Sequence, residues 1–392
     1  MAKILFLAHR LPYPPNKGDK VRSYHLLRHL AEQHQVHLGT FVDDADDLQH
    51  LDTVRQWCAE VHSVRLYPTV AKIRSVAGLL GPQPLTLAYY RSASMQAWVA
   101  SKRVDVAIVF SSSMAQFVEG FAGPVLVDFV DVDSAKWTDY ADAHSWPLSW
   151  LYRREGRTLL EFERKVAAGA QQSFFVTERE ATLFKSLAPE CASRVQALGN
   201  GVDTGYFAPD DSRLNPYDSG ELSLVFTGAM DYWPNVDAVR WFVADMLPAL
   251  RVRWPRIRLS IVGRSPVPEV QALAGDAVRV TGTVPDVRPW LQHAAAVVAP
   301  LRLARGVQNK VLEAMAMGRP VVAAKPCVET IGAIAGTHVR AAISAADYIQ
   351  AIDELLSEPL RAKDLGDAAR EFVLLGYRWA ARLSPLDARL PA

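Results

Sequence analysis

Short apolar runs alternate with amphipathic stretches along the whole chain. In the first half, runs at 4–8, 36–41, 61–66, 104–110, 125–129 and 173–176 are apolar on both faces and predict strands. Between them, apolar positions recur at helical spacing over 21–33, 48–59, 95–101 and 148–168. Such strands, separated by helices, predict a parallel sheet covered on both sides. Turn-forming residues then crowd 199–220, in Gly199-Asn200-Gly201, Pro209-Asp210-Asp211 and Asn215-Pro216-Tyr217-Asp218-Ser219-Gly220, and mark a linker. The pattern restarts with strands at 222–227, 257–262, 278–281, 296–299 and 321–323, and helices at 236–251, 307–317 and 346–357. The class is therefore α/β, with two parallel-sheet units in tandem, and the crevice outside their strand C-terminal ends is where such folds bind ligands. A last helix is predicted over 368–383.

The composition fits this picture. Of 392 residues, 50% are hydrophobic and 22% charged, enough to fill two cores. A net charge of +1 disfavours a general nucleic-acid binder. The three cysteines are far apart and form no CxxC, which argues for a reducing compartment and against a zinc ribbon. The opening residues read as a strand rather than a leader, and the uncharged run 75–90 is short and broken by Gly and Pro. The expected setting is cytoplasmic.

Several chemistries lack their motifs. GxGxxG does not follow the first strand, and GxxxxGK[ST], HExxH and GxSxG are absent. Asp131-Val-Asp133, with Asp128 nearby, forms a DxD that either holds a divalent cation or lines a site without one.

The strongest local signal is Arg302-Leu-Ala-Arg305-Gly306-Val-Gln-Asn309-Lys310-Val-Leu-Glu313, continuing to Gly318-Arg-Pro320. It follows the predicted strand 296–299. With a helix starting near Val307, Gly306, Lys310 and Glu313 fall on one face, and Val311, Leu312, Met315 and Ala316 on the other. Free N–H groups at Gly306–Asn309 and the positive end of the helix dipole suit a diphosphate. Lys310 adds a full charge, and Glu313 can accept two hydrogen bonds from a ribose cis-diol. Gly228, Gly263 with Arg264, and Gly282 end the first three strands of the second unit, where glycine lets a ligand approach the backbone. In the first unit, Gly18, Asp19, Lys20 and Arg22 open the first helix after a proline-rich loop and are expected to line the cleft, as is Asp133.

These residues resemble a known family. Lys310-Val-Leu-Glu313-Ala-Met-Ala-Met-Gly318-Arg-Pro320 resembles the nucleotide-sugar signature of glycosyltransferase family 4. Asn200-Gly201-Val202-Asp203 followed by Tyr206-Phe207 resembles its interdomain hinge, and Tyr377-Arg-Trp379 its C-terminal crossing helix. The stretches from His9 to Lys20 and from Asp128 to Trp137 resemble sugar transferases of exopolysaccharide clusters associated with PEP-CTERM and exosortase systems. The resemblance implies a GT-B fold: a Rossmann-like acceptor domain over 1–198 joined by a C-terminal helix over 368–392, a hinge at 199–220, and a nucleotide-sugar domain over 221–367. It also implies retaining transfer from a nucleoside diphosphate sugar to a glycan hydroxyl, on a polyprenyl-linked acceptor, with no metal and no cofactor. Leaving-group charge is then met by helix N-termini and basic side chains. Asp131 stands where the family often has a histidine and is expected near the transferring sugar. Arg305 stands where the family's first glutamate belongs and is expected, with Lys310, on the diphosphate. The family's basic pair after the first strand of the second domain is missing, since Asp231-Tyr-Trp-Pro-Asn235 follows Gly228. Arg302, Arg305 and Lys310 are the candidates to replace it. A nucleotide-sugar epimerase and a non-catalytic GT-B binding partner remain as alternatives.

One further pattern stands apart. From Val61 to Val104 there is no Asp or Glu, while Arg65, Lys72, Arg74, Arg91, Lys102 and Arg103 are interleaved with aromatic residues. Two readings stay open: an ordinary cationic surface, or a patch making peripheral contact with the anionic inner face of the plasma membrane.

Overall fold

The computed structural model describes residues 1–15, 18–303 and 307–391. The chain divides into two compact units, Met1–Gly199 together with the residues from Leu383 onward, and Asn200–Arg382.

The first unit is built on seven parallel strands: β1 (Lys3–Ala8), β2 (Gln35–Val42), β3 (Glu60–Arg65), β4 (Val106–Phe110), β5 (Val125–Val130), β6 (Gln172–Phe175) and β7 (Val195–Ala197). They lie in the order β3-β2-β1-β4-β5-β6-β7. Helices cover both faces, so the central strands are buried on both sides; every residue of β4 is buried, and β1 is exposed only at Lys3. That double burial is why these strands read as unbroken apolar runs. The chain reverses direction across the sheet between β1 and β4, which makes their carboxyl ends the switch point where a ligand finds an open crevice.

The second unit has six parallel strands: β8 (Leu222–Thr227), β9 (Ile257–Val262), β10 (Val278–Gly282), β11 (Ala296–Ala299), β12 (Val321–Ala324) and β13 (Arg340–Ala342). Their order is β10-β9-β8-β11-β12-β13, with the switch point between β8 and β11. The helix Asn309–Ala316 follows β11 and buries Val311, Leu312, Met315 and Ala316, the face its spacing predicts.

The C-terminal stretch differs from the single helix expected over 368–383. The helix Pro359–Gly376 stops at Tyr377, and a second helix runs over Trp379–Asp387. The first of these belongs to the second unit. There Gly366 packs so tightly on the turn after Asn309–Ala316 that a Cβ would lie 2.2 Å from the Gly318 carbonyl oxygen. The Arg370 guanidinium donates to the Ala316 carbonyl at the end of that helix. Arg370, which the resemblance groups with the first domain, thus braces the end of the helix Asn309–Ala316 in the second unit. Among the described residues no helix is long and apolar enough to cross a membrane.

Candidate functional site

In the second unit, three glycines end adjacent strands and are laced together by their backbones. The Gly228 N–H donates to Val262 O (3.0 Å), the Gly263 N–H to Gly282 O (3.1 Å) and the Met230 N–H to Arg264 O (2.8 Å). Gly228 and Gly263 have φ of +153° and +154°, a backbone open to glycine. A Cβ on Gly263 would lie 1.7 Å from the Gly228 oxygen. The strand ends thus form a floor without side chains.

Lys310 crosses to this floor. Its Nζ donates to Asn235 Oδ1 (2.6 Å), and Asn235 Nδ2 donates in turn to Ala229 O (2.8 Å). A Cβ on Gly228 would meet Asn235 Nδ2 at 2.8 Å and Lys310 Nζ at 3.0 Å. The ammonium also lies 4.1 Å from the centroid of Phe226 at the end of β8. Lys310 therefore brings positive charge to the turn after β8, where the sequence has no basic residue of its own. Asn235, which no motif singles out, fixes it there. Only its position seven residues after the strand-ending Gly228, beside Pro234, offered a signal.

The helix begins at Asn309, with Gln308 as its N-cap, so Lys310 sits in the first turn rather than one turn in. Asn309 Oδ1 is buried without a hydrogen-bond partner among the described residues. Glu313 lies one turn further along the same face. Burial pushes Lys310 down to about 7, against the opposing charge of Glu313, and pushes Glu313 up to about 7. The pair is thus a half-buried base and acid whose charges a bound anion or hydrogen-bond donor can reset. Arg264 follows β9, beside Ser265 with its left-handed φ of 53°. Arg302 is engaged elsewhere: its guanidinium donates to both carboxylate oxygens of Asp237 and stacks over Trp241 at 5.2 Å. Arg305 and Gly306 lie outside the described residues.

The first unit has its own concave site, a cavity of about 470 Å³ reached by the ends of β1 and β4. His9, Ser111, Asp133, Lys136, Trp137 and Tyr152 are among its walls. Two residues carry backbone strain, Ser111 (φ 79°) just after β4 and the β-branched Val130 (φ 70°) at the end of the neighbouring β5. Such strain costs roughly 1–3 kcal/mol per residue and persists where packing enforces it, often at ligand sites. Lys136 Nζ donates to Asp131 Oδ2 (2.7 Å) and Asp133 Oδ1 (3.1 Å). Burial opposes the Lys136 charge, but Asp133 and Asp131 outweigh it and hold its pKa above the ordinary lysine value. Both DxD carboxylates therefore share one lysine, which lies on the helix Asp133–Asp142. Among the described residues, no group of three His, Cys, Asp or Glu side chains could hold a metal ion.

Four expected cleft residues cluster at the first helix, but differently from expectation. Gly18 is exposed at its start. Asp19 bonds Arg10 (2.9 Å) and lies 3.3 Å from His9 Nε2, so it braces a cavity residue from behind. Lys20 and Arg22 are each 1% exposed and form buried ion pairs, with Asp47 (2.8 Å) and Asp128 (2.7 Å). Their charges hold the domain together where the sequence suggested acceptor contacts. His9 belongs to the proline-rich loop expected over the cleft, whereas Lys136, Trp137 and Tyr152 were not among the expected site residues. They come from a loop and two helices, and only the fold assembles them.

Comparison with known proteins agrees with this geometry. The family described as "Glycosyl transferases group 1" matches residues 221–358, which hold the glycine floor and Lys310. A Mycolicibacterium smegmatis protein, the GDP-mannose-dependent alpha-(1-6)-phosphatidylinositol monomannoside mannosyltransferase, is 30% identical over 269 residues. That match spans 62% of this chain and 67% of the relative. Among solved structures, Anabaena HepE in complex with UDP superposes with a TM-score of 0.70 at 15% identity, covering 99% of both chains. The sucrose-phosphate synthase of Thermosynechococcus elongatus gives 0.72 at 16% identity, covering 99% of this chain and 98% of that one. The fold is thus GT-B, two Rossmann-like parallel-sheet domains. The chain belongs to the group 1 glycosyltransferases.

Proposed function

We propose that the protein is a retaining, metal-independent hexosyltransferase. It moves a sugar from a nucleoside diphosphate sugar to a hydroxyl of a lipid-linked glycan, a step of exopolysaccharide assembly. The second unit binds the donor and the first unit the acceptor. The observation that carries the reading is Lys310, held by Asn235 against the bare backbone of Gly228, with Glu313 one turn along the same face. In this reading Lys310 and Arg305 meet the diphosphate and offset the charge that grows as the leaving group departs. The amides and side chains around Gly228, Gly263, Arg264, Gly282, Gly306 and Asn309 shape the donor pocket, and Glu313 accepts the ribose hydroxyls. Asp131 and Asp133 stand toward the sugar and acceptor, oriented by Lys136. The M. smegmatis relative, which its name links to GDP-mannose and a phosphatidylinositol mannoside, supports a sugar nucleotide and a lipid-borne acceptor. HepE, solved with UDP, supports a nucleotide at this fold.

The test is product analysis with purified protein, a panel of nucleoside diphosphate hexoses and polyprenyl-linked glycan acceptors, in the presence of a chelator. The reading expects acceptor-dependent release of the nucleotide and a new glycosidic bond with the donor's anomeric configuration, read by NMR. Inverted configuration or loss of turnover with the chelator would remove the retaining, metal-independent part. A changed sugar nucleotide formed without acceptor would replace the reading with epimerisation.

A further inference from the structure

The helix Pro68–Val76 faces the wrong way for a surface helix in water. It buries only Ala71, while Val70, Ile73 and Val76 are exposed, Ile73 at 70%. A second element has the same character. The turn between the helices Asp133–Asp142 and Leu148–Gly169 exposes Trp146 at 79%, and Leu148 and Trp150 follow it at the surface. The two elements belong together. Lys72 and Ser75 from the first, and Tyr140, Leu151 and Tyr152 from the second, line the same 470 Å³ cavity. Arg154, on the long helix, donates to the Gly78 carbonyl just beyond the first element (3.1 Å), tying them at that rim.

Charge selects the occupant. Lys72 and Arg74 lie on the exposed apolar helix, inside the stretch 61–104 that contains no acid. On the second element Asp142 is matched by Arg153 at 3.6 Å. Exposed aliphatic residues and tryptophans, flanked by lysine and arginine, fit the interface of an anionic bilayer: the rings sit at headgroup depth and the cations meet the phosphates. The patch is narrower than the acid-free stretch. Lys102 is neutralised by Glu60 at 2.7 Å, and Arg91 bonds Gln83.

We infer that the helix Pro68–Val76 and the turn carrying Trp146, with Leu148 and Trp150 at the start of the helix that follows, form a docking surface for an anionic phospholipid bilayer, with the cavity between them opening at the lipid interface. That the cavity receives the acceptor rests on the proposed function; the docking itself does not. A lipid-borne acceptor would then enter by lateral diffusion, its headgroup passing between Lys72 and Lys136.

The experiment is vesicle flotation of the full chain, with vesicles of phosphatidylcholine alone or with roughly one third phosphatidylglycerol. The inference expects binding to the anionic vesicles that weakens with salt, together with a blue shift of tryptophan emission. Ile73→Glu combined with Trp146→Ser should lower the vesicle affinity by about tenfold or more and leave nucleoside diphosphate binding unchanged. Failure of the wild-type protein to float, or equal flotation of the variant, would overturn it. So would self-association without vesicles that the same variant abolishes, since the patch would then serve a second copy. A protein that floats but binds no nucleotide contradicts the proposed function instead, and one that binds nucleotide but does not float contradicts only the docking.

Discussion

At the scale of single residues, Lys310 concentrates the chemistry of the second unit. Burial pushes its pKa down to about 7, so near neutral pH the free protein holds a mixture of ammonium and amine. A diphosphate favours the charged form and raises the pKa on binding. Binding above pH 7 must then take up a proton, and affinity falls by up to about tenfold per pH unit as pH rises further. Calorimetry at about pH 8, in buffers of different ionisation enthalpy, should show that uptake, and Lys310→Met should lose it. An unchanged proton count would mean that Lys310 does not meet the phosphates. As a candidate, Lys310 was legible in the sequence, because it shares a helix face with Glu313 after a strand. Asn235 was not, since an asparagine in a turn is unremarkable until the fold brings a lysine from 75 residues away to its side chain.

At the scale of elements, the helices Asp133–Asp142 and Leu148–Gly169 pack closely enough to set one wall of the first cavity. Gly156 permits this, because a Cβ there would lie 2.8 Å from Thr138 Oγ1 and 2.9 Å from the Ser134 carbonyl. Glu163 is sealed between them, accepting a hydrogen bond from Ser134 Oγ (2.5 Å), and burial pushes its carboxyl from 4.5 up to about 8. The native state therefore keeps a proton that the unfolded chain releases, so this group's contribution is most favourable below pH 4.5 and is lost as pH rises toward 8. The loss amounts to roughly 2–4 kcal/mol between about pH 5 and 8. Glu163→Gln should flatten the decline in melting temperature over that window; the same slope in variant and wild type would show that Glu163 is ionised in the fold. The element scale also shows where the sequence misleads. The helix Pro68–Val76 has no buried stripe to announce it, because most of its apolar residues face outward. The edge strands β7 and β13 are three residues long, too short for a pattern. The break at Tyr377 is set by tertiary contacts, with the Tyr377 carbonyl accepting from the Val202 N–H (2.7 Å) and its hydroxyl donating to Ile331 O (2.6 Å).

At the scale of the whole chain, two parallel sheets repeat one plan, each with a switch point where strand ends can hold a ligand. The runs of β1, β4, β8, β11 and β12 made this visible in the sequence, since strands buried on both faces tolerate little but apolar residues. The glycines at the ends of β8, β9 and β10 marked the bare strand ends for a physical reason as well: Gly263 sits against the Gly228 oxygen, where no side chain fits. The cavity of the first unit was far less legible, because its walls come from the ends of β1 and β4 and from the helices Pro68–Val76, Leu85–Tyr90, Asp133–Asp142 and Leu148–Gly169, which share no motif. Titration with UDP, GDP, ADP, CDP and dTDP, each against wild-type protein and Lys310→Ala, tests the central claim most directly. The account predicts that at least one nucleoside diphosphate binds the wild type and that Lys310→Ala weakens it by ~1.5–3 kcal/mol, roughly 10- to 150-fold. Equal affinity of the two proteins for every nucleotide, or no binding by the wild type, would contradict it.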